Sequence, residues 1–501
     1  MSTRTAAPAL APAALADEVT WATAEQVTNR AASLRAAQRD WERSGARERA
    51  SFLALFGRWL SANRAELEES MISETGKSQC DAALEIPLAL QLISYYCRHA
   101  ARFLAPERRR SSSMMFANKR VTVLRSAQPV VGIISPWNYP VANPLMDAIP
   151  ALAAGCAVLI KPSELTPVTI DRIAEGWRTL GGPDVFAVVQ GGADIGESVI
   201  DEADFVQFTG SSRTGRAILA RAAQTLTPVS LELGGKDPML VLADADLERA
   251  ANAAVWGAMF NAGQTCVAVE RVYVEAPVYD AFVDKVVAKT RALTLANGVS
   301  GTRADIGALI DERQLAIVDK HVQQALAAGA RALTGGSRGG NDAKGFPYYE
   351  PTVLVDVDHS MDCMTEETFG PTLPIMRVED EREAIRLAND SPYGLSASVW
   401  TKDLDRGHAV ARELACGAVN VNDVIINMLS TTAPQSGWKT SGIGARFGGA
   451  AGLHKFCRTE SVVTSRGPLK SEPMWYSVPR SVRSVGARAL ALDALAKIRH
   501  L

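Results

Sequence analysis

The sequence predicts an α/β protein of two domains, each built on a mostly parallel β-sheet. Three observations carry that expectation. The chain has 501 residues, 47% of them hydrophobic, too long for one small core and suited to two or three domains. From residue 121 onward short apolar runs alternate with helical stretches, the pattern of βαβ units and a parallel sheet. The alternation starts afresh near Gly235, between "VSLEL" and "PMLVLA", which places a domain boundary there.

The elements follow in chain order. Residues 1–18 are rich in Ala and Pro, with one basic residue and no strongly apolar core. They are expected to be a disordered lead-in rather than a secretion signal. Residues 24–104 read mainly as helices, with "SFLALFGRWLSANRAELEESM" the clearest periodicity. "RRRSSS", Arg108 to Ser113, breaks that pattern and reads as a solvated loop. Strand-like runs come next: "VVGIIS" (130–135), "AVLIKPS" (157–163), "FAVVQ" (186–190), "FVQFTG" (205–210) and "VSLELGG" (229–235). The helical stretches "NPLMDAIPALAAGC", "TIDRIAEGWRTL" and "SRTGRAILARAAQ" lie between them. The second alternation runs through "RVYVEAP", the helix "YDAFVDKVVAKTRAL", a helix near 311–329, "YEPTVLVDV" and "SASVWT".

Composition excludes several classes of function. The formal net charge is −2, from 53 basic and 55 acidic residues, so no nucleic-acid footprint is present. Seven cysteines with no CxxC and no regular spacing make no disulfide framework; a reducing cytoplasm is the expected setting. No apolar run reaches the roughly 18–20 residues that span a bilayer.

In an open parallel sheet, ligands bind beyond the carboxyl ends of the strands. Four polar clusters stand at such ends or between elements. In "SPWNYP" two prolines bracket Trp137, Asn138 and Tyr139. The Asn there either donates into a cleft or bonds its own backbone. In "LELGGKDP", Glu232 lies in an apolar strand just before Gly234 and Gly235. Such a carboxylate must be paired, protonated or facing a cavity, and a desolvated one suits general-base work. In "FTGSSRTGRAI" a helix opens directly after Gly210. Its N-terminus offers N–H groups to a phosphate, although G-x-x-x-x-G is not the dinucleotide fingerprint. In "FNAGQTCVAVERV", Cys266 sits between a helical run and a strand-like run. It is either a nucleophile or a small buried side chain.

Together these clusters resemble one family, the NAD(P)-dependent aldehyde dehydrogenases. "PWNYP", "KPSELTP", "FTGSSRTG", "LELGGKDP", "NAGQTC", "EETFGP" and "SGIG" occur in that family's order, over roughly residues 25 to 465. Glu232 precedes Cys266 by 34 residues, as in the family. The resemblance implies a Rossmann-like cofactor domain (19–107 and 128–234), an α/β catalytic domain (235–458) and a small oligomerisation arm (108–127 and 459–468). A C-terminal extension (469–501) follows.

The resemblance also implies roles. Cys266 is the nucleophile, Asn138 an oxyanion donor and Glu232 the base that activates water. Lys161 and Glu164 match the grip on the adenosine ribose, with Ser163 beside them. Gly210, Ser211 and Gly215 match the pyrophosphate-facing turn. Glu367 matches the ligand of the nicotinamide ribose, Phe369 the ring beside the nicotinamide, and Trp137 a neighbour of the cofactor phosphates. Gly234 belongs to the same cofactor-facing set. No metal is implied. An acidic group near a ribose 2′-hydroxyl favours NAD over NADP, so Glu164 leans the expectation to NAD with NADP still open.

Coenzyme A-acylating relatives lack the glutamate at the position of Glu232, so its presence points to hydrolysis. A non-catalytic relative would lose Cys266, Asn138 or Glu232. A nicotinamide-independent thiol hydrolase is the remaining alternative of another class. Succinate-semialdehyde dehydrogenases hold the remote carboxylate with arginines eight residues after the catalytic Asn and six before the Cys. Those positions here are Met146 and Phe260. With Tyr139 and Met259 they make an apolar tunnel, suited to hydrophobic aliphatic or aromatic aldehydes. A homodimer or homotetramer is expected, through "KRVTVLRSAQP" (119–129) and "TESVVTS" (459–465). The tail places Val482, Val485, Ala489, Leu492 and Leu495 at helical spacing among Arg480, Arg483, Arg488, Lys497 and Arg499. That is a basic amphipathic helix, fit to pack on protein or to touch a membrane surface.

Overall fold

The computed structural model describes residues 19–111, 113, 116–296, 304–342, 344–444, 447–467, 470–472 and 475–498. The lead-in expected over 1–18, and Arg499, lie outside the described residues.

Four long helices come first: Ala24–Arg43, Ala46–Ala62, Arg64–Thr75 and Glu85–Phe103. The first is started by a capping box between Thr23 and Gln26, which satisfies two orphan N–H groups. It buries Val27, Ala31, Leu34 and Trp41 along one face. An aromatic cluster ties these helices to the first sheet. Trp177 stacks on Phe186 at 5.3 Å and meets Phe52 and Phe56 edge-on at 4.6 and 5.2 Å.

The first sheet has six strands in the order Gly442–Ile443, Val229–Glu232, Phe205–Thr209, Val130–Ile134, Ala157–Lys161, Phe186–Val188. All run parallel except the edge strand Gly442–Ile443, which pairs antiparallel with Val229–Glu232. The second sheet has seven strands in the order Arg331–Thr334, Thr352–Val355, Thr372–Val378, Val269–Glu275, Asp237–Val241, Ser396–Trp400, Ala418–Val421. It is parallel apart from Arg331–Thr334. Most inner strands of both sheets are buried from end to end, which is why they read as apolar runs rather than as alternations.

A third, three-stranded sheet joins Glu107–Arg110, Lys119–Ala127 and Cys457–Ser465, all antiparallel. Here the loop reading of Arg108 to Ser113 is corrected. Arg108, Arg109 and Arg110 pair with Thr122, Val121 and Arg120. The ladder satisfies their backbone while the arginine side chains stay in water, so a charged run and a strand are compatible. The last strand is exposed along nearly its whole length. Beyond it, Arg480–Ile498 forms the expected helix, and none of its residues is buried in the single chain. No described helix is long and apolar enough to cross a membrane.

Candidate active site

Register aligns the carboxyl ends of the first sheet. Ile134 lies beside Lys161 on one side and Phe208 on the other, and Thr209 lies beside Glu232. The chain leaves Val130–Ile134 toward one side of the sheet and later returns on the other, at Phe205–Thr209. Those two strands therefore flank the topological switch point, where a crevice opens in such sheets. Trp137 and Asn138 follow the first of them; Gly210 and Ser211 follow the second.

The turn after Ile134 carries Asn138, whose amide is fixed at both ends. Its Oδ1 accepts from Asn143 Nδ2 at 3.0 Å, and its Nδ2 donates to the carbonyl of Gln264 at 2.9 Å. An Asn Nδ2 has two protons; one is spent on Gln264 and the other is directed by the same plane. Tyr139 OH lies 2.6 Å from Thr265 Oγ1. Asn138 and Tyr139 are thus bound to the two residues preceding Cys266.

Cys266 ends a strained loop between the helix Leu247–Met259 and the strand Val269–Glu275. Asn261, Ala262 and Gly263 all have positive φ, at 54°, 54° and 73°. Two of the three are not glycine, and each such residue costs about 1–3 kcal/mol and persists only where its surroundings fix it. Gln264 supplies that support. Its Nε2 donates to the carbonyls of Asn261 (3.2 Å) and Ala308 (3.1 Å), and its Oε1 accepts from Ile310 N (2.9 Å). Gly263 lies against the Gly370 backbone, where a Cβ would collide with the carbonyl. Gly263→Ala is expected to cost about 1–3 kcal/mol or more, read as a lower Tm. An unchanged Tm would mean that the loop relaxes freely.

The other side of the crevice is the link between the sheets. Glu232 is buried at the end of its strand, beside Gly442. This gives the "SGIG" residues a place: their short strand covers the edge of the glutamate strand. A Cβ on Gly235 would lie 2.6 Å from the Cys266 carbonyl, so only glycine lets the cysteine loop approach. Gly235 N donates to Glu367 Oε1 at 3.0 Å, and a Cβ on Gly234 would strike the same carboxylate. Burial, helped by nearby Glu270, pushes the Glu367 carboxyl up to about 8. Glu270 pairs with Lys236 at 2.7 Å and accepts the N–H groups of Thr368 (3.1 Å) and Phe369 (2.8 Å). That clamp holds Phe369 at a φ of 54° and 5.6 Å from Trp137, edge to face.

The remaining sequence-derived residues stand nearby or in supporting roles. Lys161 Nζ lies 3.3 Å from Glu164 Oε2, and burial lowers its pKa. Ser163 Oγ accepts from Leu165 N at 3.2 Å, shaping the turn between them. Ser211 caps the helix Ser212–Ala222 through Thr214 N. Gly215 is buried, and a Cβ there would meet Leu233 at 2.6 Å; its smallness serves helix–strand packing. Met146 and Met259 are buried in the helices Ala142–Ala154 and Leu247–Met259. The rings of Tyr139 and Phe260 are 6.1 Å apart, and half-open Trp256 lies 5.1 Å from Phe260.

Burial sorts the seven thiols. It pushes Cys97 and Cys363 up to about 11 and Cys416 and Cys457 to about 12, and it holds Cys156 well above the usual thiol range. Such thiols are poor nucleophiles. Cys80 is exposed on a short surface helix. Cys266 is half-buried and the one set among the residues just described.

Comparison with known proteins gives the family. The sequence profile of the aldehyde dehydrogenase family matches residues 3–462. The chain belongs to the aldehyde dehydrogenase family. It is 41% identical over 447 residues to a Mycolicibacterium smegmatis protein named "Putative succinate-semialdehyde dehydrogenase [NADP(+)]", covering 89% of this chain and 85% of that one. It is 40% identical to the 4,4'-diapolycopene aldehyde oxidase of a Methylomonas species, over 87% and 81% of the two chains. The crystal structure of succinate-semialdehyde dehydrogenase from Burkholderia pseudomallei superposes with a TM-score of 0.84 at 34% identity, over 89% and 91% of the chains. As an aldehyde dehydrogenase the protein is an oxidoreductase of the NAD(P)-linked kind, with the expected fold. Sequence reasoning passed over Gln264 as a loop lock, Glu270 and Lys236 behind Phe369, Asn143 behind Asn138, and Trp256. The signal available for Glu270 and Lys236 was the adjacent opposite charges Lys236–Asp237 and Glu270–Arg271, each pair set at the start of an apolar run.

Proposed function

We propose that this aldehyde dehydrogenase oxidises hydrophobic aliphatic or aromatic aldehydes to carboxylic acids with NAD or NADP, through Cys266, Asn138 and Glu232. The observation that carries the reading is the locked union of the Asn138 amide with the Cys266 loop through Gln264. The Cys266 thiolate adds to the aldehyde carbon, forming a C–S bond. The resulting oxyanion takes the remaining Asn138 Nδ2 proton and the Cys266 backbone N–H as its donors. When bound, NAD(P) supplies the acceptor for the hydride that leaves that carbon, so that the C=O bond re-forms as a thioester. Glu232 then takes a proton from water, the hydroxide oxygen adds to the thioester carbon, and the C–S bond breaks. The thiolate is restored and the acid departs.

The residues present fit such a cofactor. The helix N-terminus after Ser211 stands at the switch point, where the first-turn N–H groups suit a pyrophosphate. Gly234 leaves open the space beside Glu367 that a Cβ would fill. Burial raises the Glu367 carboxyl toward its protonated form, the form that can both donate to and accept from ribose hydroxyls. Lys161 and Glu164 would take the adenosine ribose. Glu164 supports a lean to NAD; the NADP-linked name of the M. smegmatis relative supports the other choice.

For the substrate, buried Tyr139, Met146, Met259 and Phe260 favour an apolar tunnel, and one relative is named for a diapolycopene aldehyde. The second reading, succinate semialdehyde, is favoured by two relatives' names. A pocket with no partner for the remote carboxylate cannot desolvate it cheaply. Succinate semialdehyde is therefore expected to show a kcat/KM at least about 100-fold below hexanal or benzaldehyde. If it is the best substrate of that panel, the apolar-tunnel reading falls.

We also read the chain as a cytoplasmic homo-oligomer that meets its copies along the exposed strand Cys457–Ser465. The helix Arg480–Ile498, with Val482, Val485, Leu492 and Leu495 exposed, then packs on a neighbouring subunit near the substrate entrance. Most helical stability in proteins comes from packing an amphipathic face, so this exposed apolar stripe calls for a partner. Truncation after Ser471 is expected to change KM for long aldehydes. Loss of sedimentation with anionic liposomes, with KM unchanged, would instead assign the helix to a membrane surface.

A further inference from the structure

We infer that Lys77 and Glu85 form a buried pair whose task is to position Asn138 for oxyanion binding. The inference rests on the reading of Asn138 given above. The two side chains are 1% and 0% exposed and 2.5 Å apart. A buried ion pair is weak ground for stability, since apolar replacements of similar volume often do as well. What distinguishes this one is what it holds. Lys77 Nζ donates to the Asn138 carbonyl at 3.0 Å and lies 4.7 Å from the centre of the Tyr139 ring. Glu85 Oε2 accepts from the backbone N–H groups of Val141 (3.0 Å) and Ala142 (2.9 Å). The pair therefore grips the Asn138 turn from behind at four of its residues, just where the strand ladder has ended.

The same segment reaches the cysteine loop. Asn261 Nδ2 shares the Asn138 carbonyl with Lys77, at 3.2 Å. Burial raises the carboxyl of Asp81, which lies between Lys77 and Glu85 in sequence, to about 6, and the Asn261 backbone facing it is among the groups that offset this. Residues 77–85 thus hold both sides of the oxyanion hole, the Asn138 amide and the loop that carries the Cys266 N–H. Displacing such a donor by about 1 Å costs on the order of 100-fold in rate. Lys77 and Glu85 touch neither substrate nor cofactor in this scheme; they are positioning residues.

The test is a cycle between the pair and Asn138. The neutral double variant Lys77→Met/Glu85→Gln keeps the volume and the backbone acceptor while removing both charges. In the full-length enzyme it is expected to slow acylation, read as the pre-steady-state burst of reduced cofactor, by about 10- to 100-fold. KM for the cofactor should stay within about twofold. In an Asn138→Ala background the same two substitutions are expected to cost less than about twofold, because the group they position is gone. Equal losses in both backgrounds would overturn the inference, as would an unchanged burst rate in the Asn138 enzyme. If Asn138→Ala alone leaves acylation intact, the oxyanion reading itself fails and this inference with it. Should the double variant not fold, Glu85→Gln alone is carried through the same cycle: a slower burst only where Asn138 is present supports the inference, and equal losses in both backgrounds overturn it.

Discussion

Cys266→Ala is expected to abolish aldehyde oxidation, by at least about 10⁴-fold in kcat, while leaving the fold and cofactor binding in place. The expectation follows from how burial sorts the thiols. Five of the other six cysteines are raised by burial, and Cys80 sits on the surface. No second thiol is placed to take over the covalent step. The structural cost should be small. The loop is held by Gln264, Asn261 and the Gly263–Gly370 contact, none of which uses the Cys266 side chain. A preserved Tm with lost turnover is the expected pair of results. Residual oxidation above about 1% of wild type would show that the thioester is not obligatory, since a bound but unactivated aldehyde has no comparable route for hydride loss. Alkylation offers a second check: iodoacetamide should inactivate the wild type and consume one more thiol there than in the variant.

Much of the candidate site was legible because its polar residues sit at strand ends. A parallel sheet brings the ends of "VVGII", "AVLIK", "FVQFT" and "VSLE" into one row, so Asn138, Lys161, Gly210 and Glu232 could be grouped from the sequence alone. What was hidden depends on partners far along the chain. Lys77 has no local reason to matter; its meaning comes from a carbonyl 61 residues away. Arg108–Arg110 carries a loop-like composition, yet Lys119–Ala127 supplies the ladder that makes it a strand. Gly215 fitted a phosphate-facing role by motif, while its packing against Leu233 explains why no larger residue stands there. Gly442–Ile443 is two residues long and has no periodicity to detect. Motifs encode the atoms that do chemistry; the contacts that hold those atoms in place are written in three dimensions.

Glu232→Gln should separate the two halves of the reaction. The substitution keeps shape and burial and removes the ability to take a proton. Acylation and hydride loss use Cys266 and Asn138, so the first turnover should proceed at close to the wild-type rate. Hydrolysis of the thioester should then stall, because water attacks it slowly without a base; general-base assistance is worth about 10²–10⁴-fold. The expected trace is a burst approaching one reduced cofactor per active site, followed by a steady state at least about 100-fold below wild type. Stability should hold, since glutamine keeps the volume of the side chain buried at the end of its strand. A Tm close to wild type would therefore exclude misfolding as the cause of the slow phase. An equal loss of burst and steady state would mean that Glu232 acts before the thioester forms, as the base that deprotonates Cys266, and the assignment of its role to water activation would have to be given up. Added hydroxylamine gives the deciding measurement. It attacks a thioester without a base, so it should restore turnover to the glutamine variant while leaving Cys266→Ala inactive.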